Sequence, residues 1–346
     1  MLKNENFKIQ HINTLRETSN CDPIILERTV FAFGLLESLV RVNMPFILKG
    51  GTCLMLLLKT PRRLSTDIDI IVEPGTDISY YIQEAAKIFP FEEVEEQSRV
   101  GKNQIEKRHF KFIYNSPVNK KKLYILLDVL FEENHYNTLV KRNIANDILL
   151  TEEPYLPVII PSVDCILGDK LTAFAPHTTG IPFDVNKEME IIKQLFDVAT
   201  LIEECNNFQD VYESYMKTVK SEIAYRGNEC LVEDVLIDTI EMAACIVSRG
   251  NNRPDEYRKI INGIKSIRTH IFKENYSGEI AAIQACSVMY MASCILKNKE
   301  FVPIKKPENY IKDSIGKSKY KSLSYIKKVK LEAYGYLVEA VRLLEE

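Results

Sequence analysis

Apolar residues recur at helical spacing over residues 22–42, at Ile25, Val30, Phe33, Leu36 and Val40, and the run stops at Asn43 and Pro45, which predicts a helix. A short apolar stretch at 46–49 then meets Gly50-Gly51, and a second helix opens at Thr52 and runs to Leu58. Pro61-Arg62-Arg63 breaks it, and residues 67–72 alternate as a strand that Pro74-Gly75 closes. Helical period returns over 78–89. Residues 108–114 and 123–131 predict a hairpin around a polar, basic loop, and 155–160 a last strand. Beyond it nearly everything has helical period, beginning with 162–175, where Ser162 is a fitting N-cap. The pattern predicts an α+β chain: a mixed β-sheet with flanking helices over 1–160, then an all-helical domain over 161–346.

The length of 346 residues agrees with two domains at roughly 150 residues each. A composition 46% apolar and 27% charged excludes collagen-like, low-complexity and wholly disordered classes. The eight cysteines show no metal-binding spacing and read as reduced, mostly buried thiols. The start of the chain has no apolar signal core, and the greasiest helical stretch, 281–296, is interrupted by Gln284 and Ser287 and reads as too short and polar for a bilayer. A cytoplasmic protein without membrane contact is expected.

Candidate chemistry begins at Asp67 and Asp69, two apart on a strand and therefore on one face. Such a pair calls for a cation between the carboxylates, Mg²⁺ being the usual one, or else is a solvated strand end beside Arg62 and Arg63. Gly50-Gly51, between strand and helix, reads as a tight turn or as a phosphate cradle. Asp128 interrupts an almost wholly apolar strand; it is either hydrogen-bonded at an edge or a third carboxylate beside Asp67 and Asp69 if the two strands are neighbours. Lys170 falls inside the apolar stripe of its helix, between Ile166 and Phe174, where an ammonium either snorkels or meets an anionic ligand. Asp197 on its own reads as a surface pair with Lys193.

Taken in order, residues 49–54 (Lys-Gly-Gly-Thr-Cys-Leu), 63–69 (Arg-Leu-Ser-Thr-Asp-Ile-Asp), 168–173 (Gly-Asp-Lys-Leu-Thr-Ala) and 193–197 (Lys-Gln-Leu-Phe-Asp) resemble the four motifs of the AbiEii-type nucleotidyltransferase toxins, within the polymerase β-like superfamily. The resemblance spans about residues 25–205. It implies a metal-dependent nucleotidyltransferase: Gly50, Gly51, Thr52 and Ser65 would hold nucleotide, and Asp67 and Asp69 the Mg²⁺ or Mn²⁺, with Asp128 added as a third ligand from its own place in an apolar strand. Lys170 would meet the phosphates of an NTP and Asp197 would serve catalysis, a role the isolated residue does not suggest. Thr66, Asp169 and Gln194 depart from the family pattern without removing a metal ligand.

The resemblance further implies an RNA acceptor, such as tRNA, and a cognate antitoxin. Alternatives are transfer to a small molecule of the antibiotic type, a non-catalytic nucleotide-binding module, and phosphotransfer with Ser65 or Thr66 as self-modification sites. The net charge of −3 gives no sign of nucleic acid, yet residues 303–330 hold nine lysines against Glu308 and Asp313, a local +7 that leaves −10 elsewhere. Tyr310, Tyr320 and Tyr325 lie among those lysines, a mix suited to gripping an RNA backbone and stacking on bases, or simply a solvated face.

Overall fold

A computed structural model describes every residue except 20, 59, 98–105, 228 and 252. The described chain forms two compact units, Met1–Ser162 with Arg268–Asn275, and Val163–Ile267 with Tyr276–Glu346.

In chain order the first unit contains α1 (Ile9–Glu17), α2 (Pro23–Arg41), β1 (Ile47–Lys49), α3 (Gly50–Leu57), β2 (Ile68–Val72), α4 (Ser79–Ala85), β3 (Phe91–Gln97), β4 (Lys107–Asn115), β5 (Lys122–Phe131), β6 (Leu139–Asn143) and β7 (Pro157–Pro161). Asp22 starts α2 by accepting hydrogen bonds from the amides of Ile24 and Ile25, with Pro23 in the first turn. Five strands form one sheet in the order β1-β2-β5-β4-β3, and β6 and β7 form a separate antiparallel ribbon. Within the large sheet only β2 and β5 run parallel. A parallel pair needs a long crossover, and the chain supplies one, passing through α4, β3 and β4 before it returns as β5.

One face of that sheet is core. Ile68, Ile70, Phe112, Ile125, Leu127 and Val129 are buried there, and α2 packs against β2 and β5. Glu27 of α2 is buried in this layer, and its carboxylate accepts from Tyr114 Oη at 3.0 Å, Ser116 Oγ at 2.9 Å and the Val118 amide at 3.0 Å. Burial, with Glu27 beside it, pushes the Tyr114 phenol well above its ordinary range, so that it stays a donor.

Residues 268–275, far away in sequence, belong to this unit. Leu64 donates to the His270 carbonyl at 2.7 Å, Phe272 donates to the Arg62 carbonyl at 2.9 Å, and Arg62 pairs with Glu274 at 2.9 Å. Phe272 enters the sheet unit's core. A single cut at residue 160 therefore does not divide the chain.

Other expectations change in detail. The helix expected over 78–89 is only α4, because the chain turns and Phe91 opens β3, an unforeseen strand. Its run of glutamates conceals strand character, and it lies at the sheet edge, where charge discourages pairing with another chain. The ribbon strand β6 was also not expected.

The second unit is helical: α5 (Val163–Ala173), α6 (Glu188–Glu203), α7 (Phe208–Arg226), α8 (Val232–Val247), α9 (Pro254–Ile267), α10 (Gly278–Leu296), α11 (Ile326–Val329) and α12 (Leu331–Glu345). Helix α10 is longer than the sequence suggested, starting at a Ser277 cap, and by length and composition it could cross a membrane. Here it is the central helix of the unit, mostly buried against α6, α8 and α12. All eight cysteines are free and six are buried; burial lifts the thiols of Cys21 and Cys245 to about 11 and those of Cys205 and Cys294 to about 12, which keeps them protonated.

His177, after α5, ties two helices together. Its Nδ1 lies 2.6 Å from Asp238 on α8, and its Nε2 lies 3.1 Å from Glu256 on α9, which Arg253 also contacts. The Asp238 hydrogen bond raises the imidazole pKa above its ordinary 6.5, against the opposing effect of burial.

Two outcomes are expected. Glu27→Ala strands the Tyr114 hydroxyl and the Val118 amide and should cost on the order of 3 kcal/mol, read as a lower urea midpoint; a loss under about 1 kcal/mol would contradict the network's importance. Because the folded-state pKa of His177 is raised, its contribution is complete below about pH 6.5 and fades as pH rises through the higher folded value. Thermal unfolding of wild type and His177→Gln should therefore differ most near the acid end and converge in alkali; a constant gap would rule out the titration.

Candidate active site

Strand register brings the chemistry together. Across the large sheet Lys49 faces Asp69, Asp69 faces Asp128, Asp128 faces His109, and His109 faces Gln97, one residue from each strand in a single row. Directly paired residues share a face, so this row lies opposite the buried core and forms the sheet's polar surface.

Gly50 closes one side of the row. Its φ of +71° suits glycine, and a Cβ built there would lie 2.0 Å from Asp69 Oδ2. The turn between β1 and α3 thus runs directly against the carboxylate. At Gly51 a Cβ would meet Ser65 Oγ at 2.6 Å and the Arg63 guanidinium at 2.9 Å, so Gly50, Gly51 and Ser65 make one small polar concavity. Thr52 does not belong to its surface. It is fully buried, and its hydroxyl donates to the Asp67 carbonyl at 2.7 Å, so the phosphate-holding role expected of it is replaced by a structural one: fastening α3 to the start of β2.

The three carboxylates do not converge as expected. Among the described residues no three His, Cys, Asp or Glu side chains gather into a metal-holding group. Asp67 lies just before β2, with Oδ1 3.2 Å from Arg28 of α2. Asp128 Oδ1 lies 2.6 Å from His109 Nδ1. What remains in register is the pair Asp69 and Asp128. That pair still suits Mg²⁺, which takes one or two carboxylates and completes its shell with water and substrate phosphate. The hard oxygen donors and the space that a Gly50 Cβ would fill both fit such an ion.

In the helical unit, Gly168 and Lys170 of α5 face different neighbours. A Cβ at Gly168 would lie 2.5 Å from the Val211 carbonyl of α7, so that glycine permits a close helix crossing. Lys170 points instead to α6, with Nζ 3.2 Å from Asp197 Oδ2 and 3.4 Å from Gln194 Oε1. Asp197 is 2% exposed, and Lys193 pairs with Glu190 instead, which corrects the surface Lys193–Asp197 pair. A buried carboxylate of this kind depends on its ammonium partner.

The lysines of the basic segment are mostly exposed, but its aromatic rings are at least partly covered. Tyr320 is buried, while Arg342 approaches the Tyr310 ring and Arg249 lies 4.7 Å from the Tyr325 centroid. Ile315, Tyr320, Leu323 and Ile326 anchor the stretch inward while the lysines stay in water; Lys327 alone among them is half-buried, donating to the carbonyls of Ile311 and Asp313. A cavity of about 280 Å³ between Glu241, Cys245, Arg253, Lys319 and Tyr320 contains none of the motif residues.

Sequence reasoning missed His109 and Arg28. His109 was recoverable from hairpin register; Arg28 had as its signal only the Glu27-Arg28 charged pair near the start of a mostly apolar helix.

The fold is thus a mixed sheet carrying adjacent-strand carboxylates beside a strand–Gly-Gly–helix turn. The comparison with family profiles is more specific: the profile described as "Nucleotidyl transferase AbiEii toxin, Type IV TA system" matches residues 35–283. The chain belongs to that family. Among solved structures it is similar to JHP933 from Helicobacter pylori, at 15% identity and a TM-score of 0.43 over 79% of this chain and 93% of the other. It is also similar to an H. pylori protein described as a candidate nucleotidyltransferase, at 15% identity and a TM-score of 0.42 over 79% and 96%. A search of curated proteins gives no significant match.

Gly50→Ala should displace the Asp69 carboxylate and strain the turn, lowering stability by about 1–2 kcal/mol and weakening Mn²⁺ binding in calorimetry. Unchanged Mn²⁺ affinity would show that the turn does not position Asp69.

Proposed function

We propose that the protein transfers a nucleotidyl group from an NTP to an RNA hydroxyl, with Asp69 and Asp128 holding Mg²⁺, as the toxin partner of a type IV pair. The observation that carries the reading is the register match of Asp69 and Asp128 next to the Gly50-Gly51 turn, in a chain of the AbiEii family. Bound there, the ion would neutralise phosphate charge and polarise the α-phosphate. Gly50, Gly51 and Ser65 form the polar concavity that receives phosphate oxygens. Thr52 keeps Asp67 and β2 in place. His109 fixes one oxygen of Asp128 and thereby orients the other. In the helical unit Lys170, held by Asp197 and Gln194, is assigned to nucleotide phosphate.

The acceptor oxygen bonds to the α-phosphorus as the bond to the bridging oxygen of the β-phosphate breaks. Pyrophosphate leaves, and the hydroxyl proton passes to water. The exposed lysines of 303–330 support RNA as acceptor chiefly through backbone contacts, since Tyr320 is buried and Tyr310 and Tyr325 are partly covered. Partner recognition by an antitoxin follows from the family's type IV description.

Incubation with α-labelled NTPs, Mg²⁺ and total RNA should label the RNA. Asp69→Ala should reduce labelling by about a hundredfold or more. Labelling that persists at the wild-type level in Asp69→Ala would overturn the mechanism.

A further inference from the structure

We propose that Arg28 is a ligand for the substrate's polyphosphate that rests on Asp67 until nucleotide and metal arrive. The inference rests on the nucleotidyl-transfer reading and adds a residue outside the four motifs.

Arg28 occupies an unusual place. On α2, residues Leu26, Glu27 and Thr29 to Leu39 are all buried, and Arg28 is the position among them that reaches partly into solvent. Strand β2 begins opposite Leu127, so residues 122–126 of β5 have no β2 partner along that edge. At this opening Arg28 Nη2 lies 3.2 Å from Asp67 Oδ1, and its Cζ lies 5.9 Å from the centroid of the exposed Tyr124 ring. Lys111 of β4 stands over the same ring, with Nζ 4.6 Å from its centroid. Two cations therefore converge on one aromatic ring near the carboxylate row.

The guanidinium is incompletely used there. It has five N–H donors, one of which meets Asp67, while Nε is buried without a hydrogen-bond partner. The ion pair is also half-open, with the side chains 32% and 44% exposed. Such pairs contribute only about 0–1 kcal/mol, so a partner of higher charge can take either group. A divalent cation at Asp69 and Asp128 would repel the guanidinium close by, and a triphosphate would attract it. A planar fork with idle donors matches phosphate oxygens better than it matches one carboxylate oxygen. In the absence of substrate, Arg28 then serves a second purpose: it offsets the charge of Asp67, two residues before Asp69 on the approach to β2.

An ion pair that merely pinned α2 to β2 would behave differently, and the full-length protein can distinguish the two roles. For Arg28→Met, affinity for Mn²⁺ alone should rise about two- to fivefold as a competing cation is removed, while affinity for inorganic tripolyphosphate with Mg²⁺ present should fall about tenfold. Arg28→Lys should recover part of the tripolyphosphate affinity. A fall in both affinities for Arg28→Met, or unchanged tripolyphosphate binding, would overturn the proposal while wild-type binding and RNA labelling left the transfer reading intact. Wild-type protein that binds neither Mn²⁺ nor tripolyphosphate would overturn both.

Discussion

Two aspartates at one register of neighbouring parallel strands are an electrostatic liability that the surrounding structure has to contain. Strands in a sheet lie about 4.8 Å apart, so Asp69 and Asp128 are held far closer than like charges would choose. The parallel pairing that places them requires the long excursion through α4, β3 and β4. Lys49 and His109 then flank the pair in the same row, and Arg28 takes Asp67 out of it. A site arranged like this attracts a cation at the carboxylate pair, while Lys49 and Arg28 stand as positive charges beside it.

The helical unit meets the same difficulty by a different route. Asp197 is buried on α6 and pairs with Lys170 of α5, which in turn requires α5 to lie at a fixed rotation. Gly168, pressed against α7, sets that rotation two residues before Lys170. The motif's glycine and lysine are thus a packing residue and a charged residue whose directions are linked by helical geometry. Buried pairs of this type contribute little net stability, yet removing one member leaves the other stranded.

Much of this was legible in the chain. The helix over 22–42, the Gly-Gly turn, the β4–β5 hairpin and the helical second half followed from periodicity and turn residues, because each is a local signal. The hairpin even contained the His109–Asp128 pair, since pairing Tyr114 with Leu123 leaves no other register for residues five steps further along each strand. What escaped was non-local or masked by charge. The glutamates hid β3, the inward turn of Tyr320 depended on packing within the helical unit, and the removal of Asp67 from the carboxylate group depended on a helix distant in sequence. The burial of Asp197 and its pairing with Lys170 rather than Lys193 came from the helix crossing, which no local signal in the sequence carries.

The strap at residues 268–275 bears on how the chain is made. Domains generally fold as units, beginning with the N-terminal one, as the polypeptide is synthesised. Here the sheet unit's core includes Phe272, and the backbone of Arg62 and Leu64, just ahead of the Ser65–Asp69 stretch, bonds to the strap. A nascent chain that has released its first 162 residues therefore still lacks part of the sheet unit's core and the bonds that hold the segment leading into Asp67 and Asp69. More than a hundred further residues, including α5 to α9, emerge before that core is complete. Assembly of the candidate active site is thereby delayed until most of the protein has been translated.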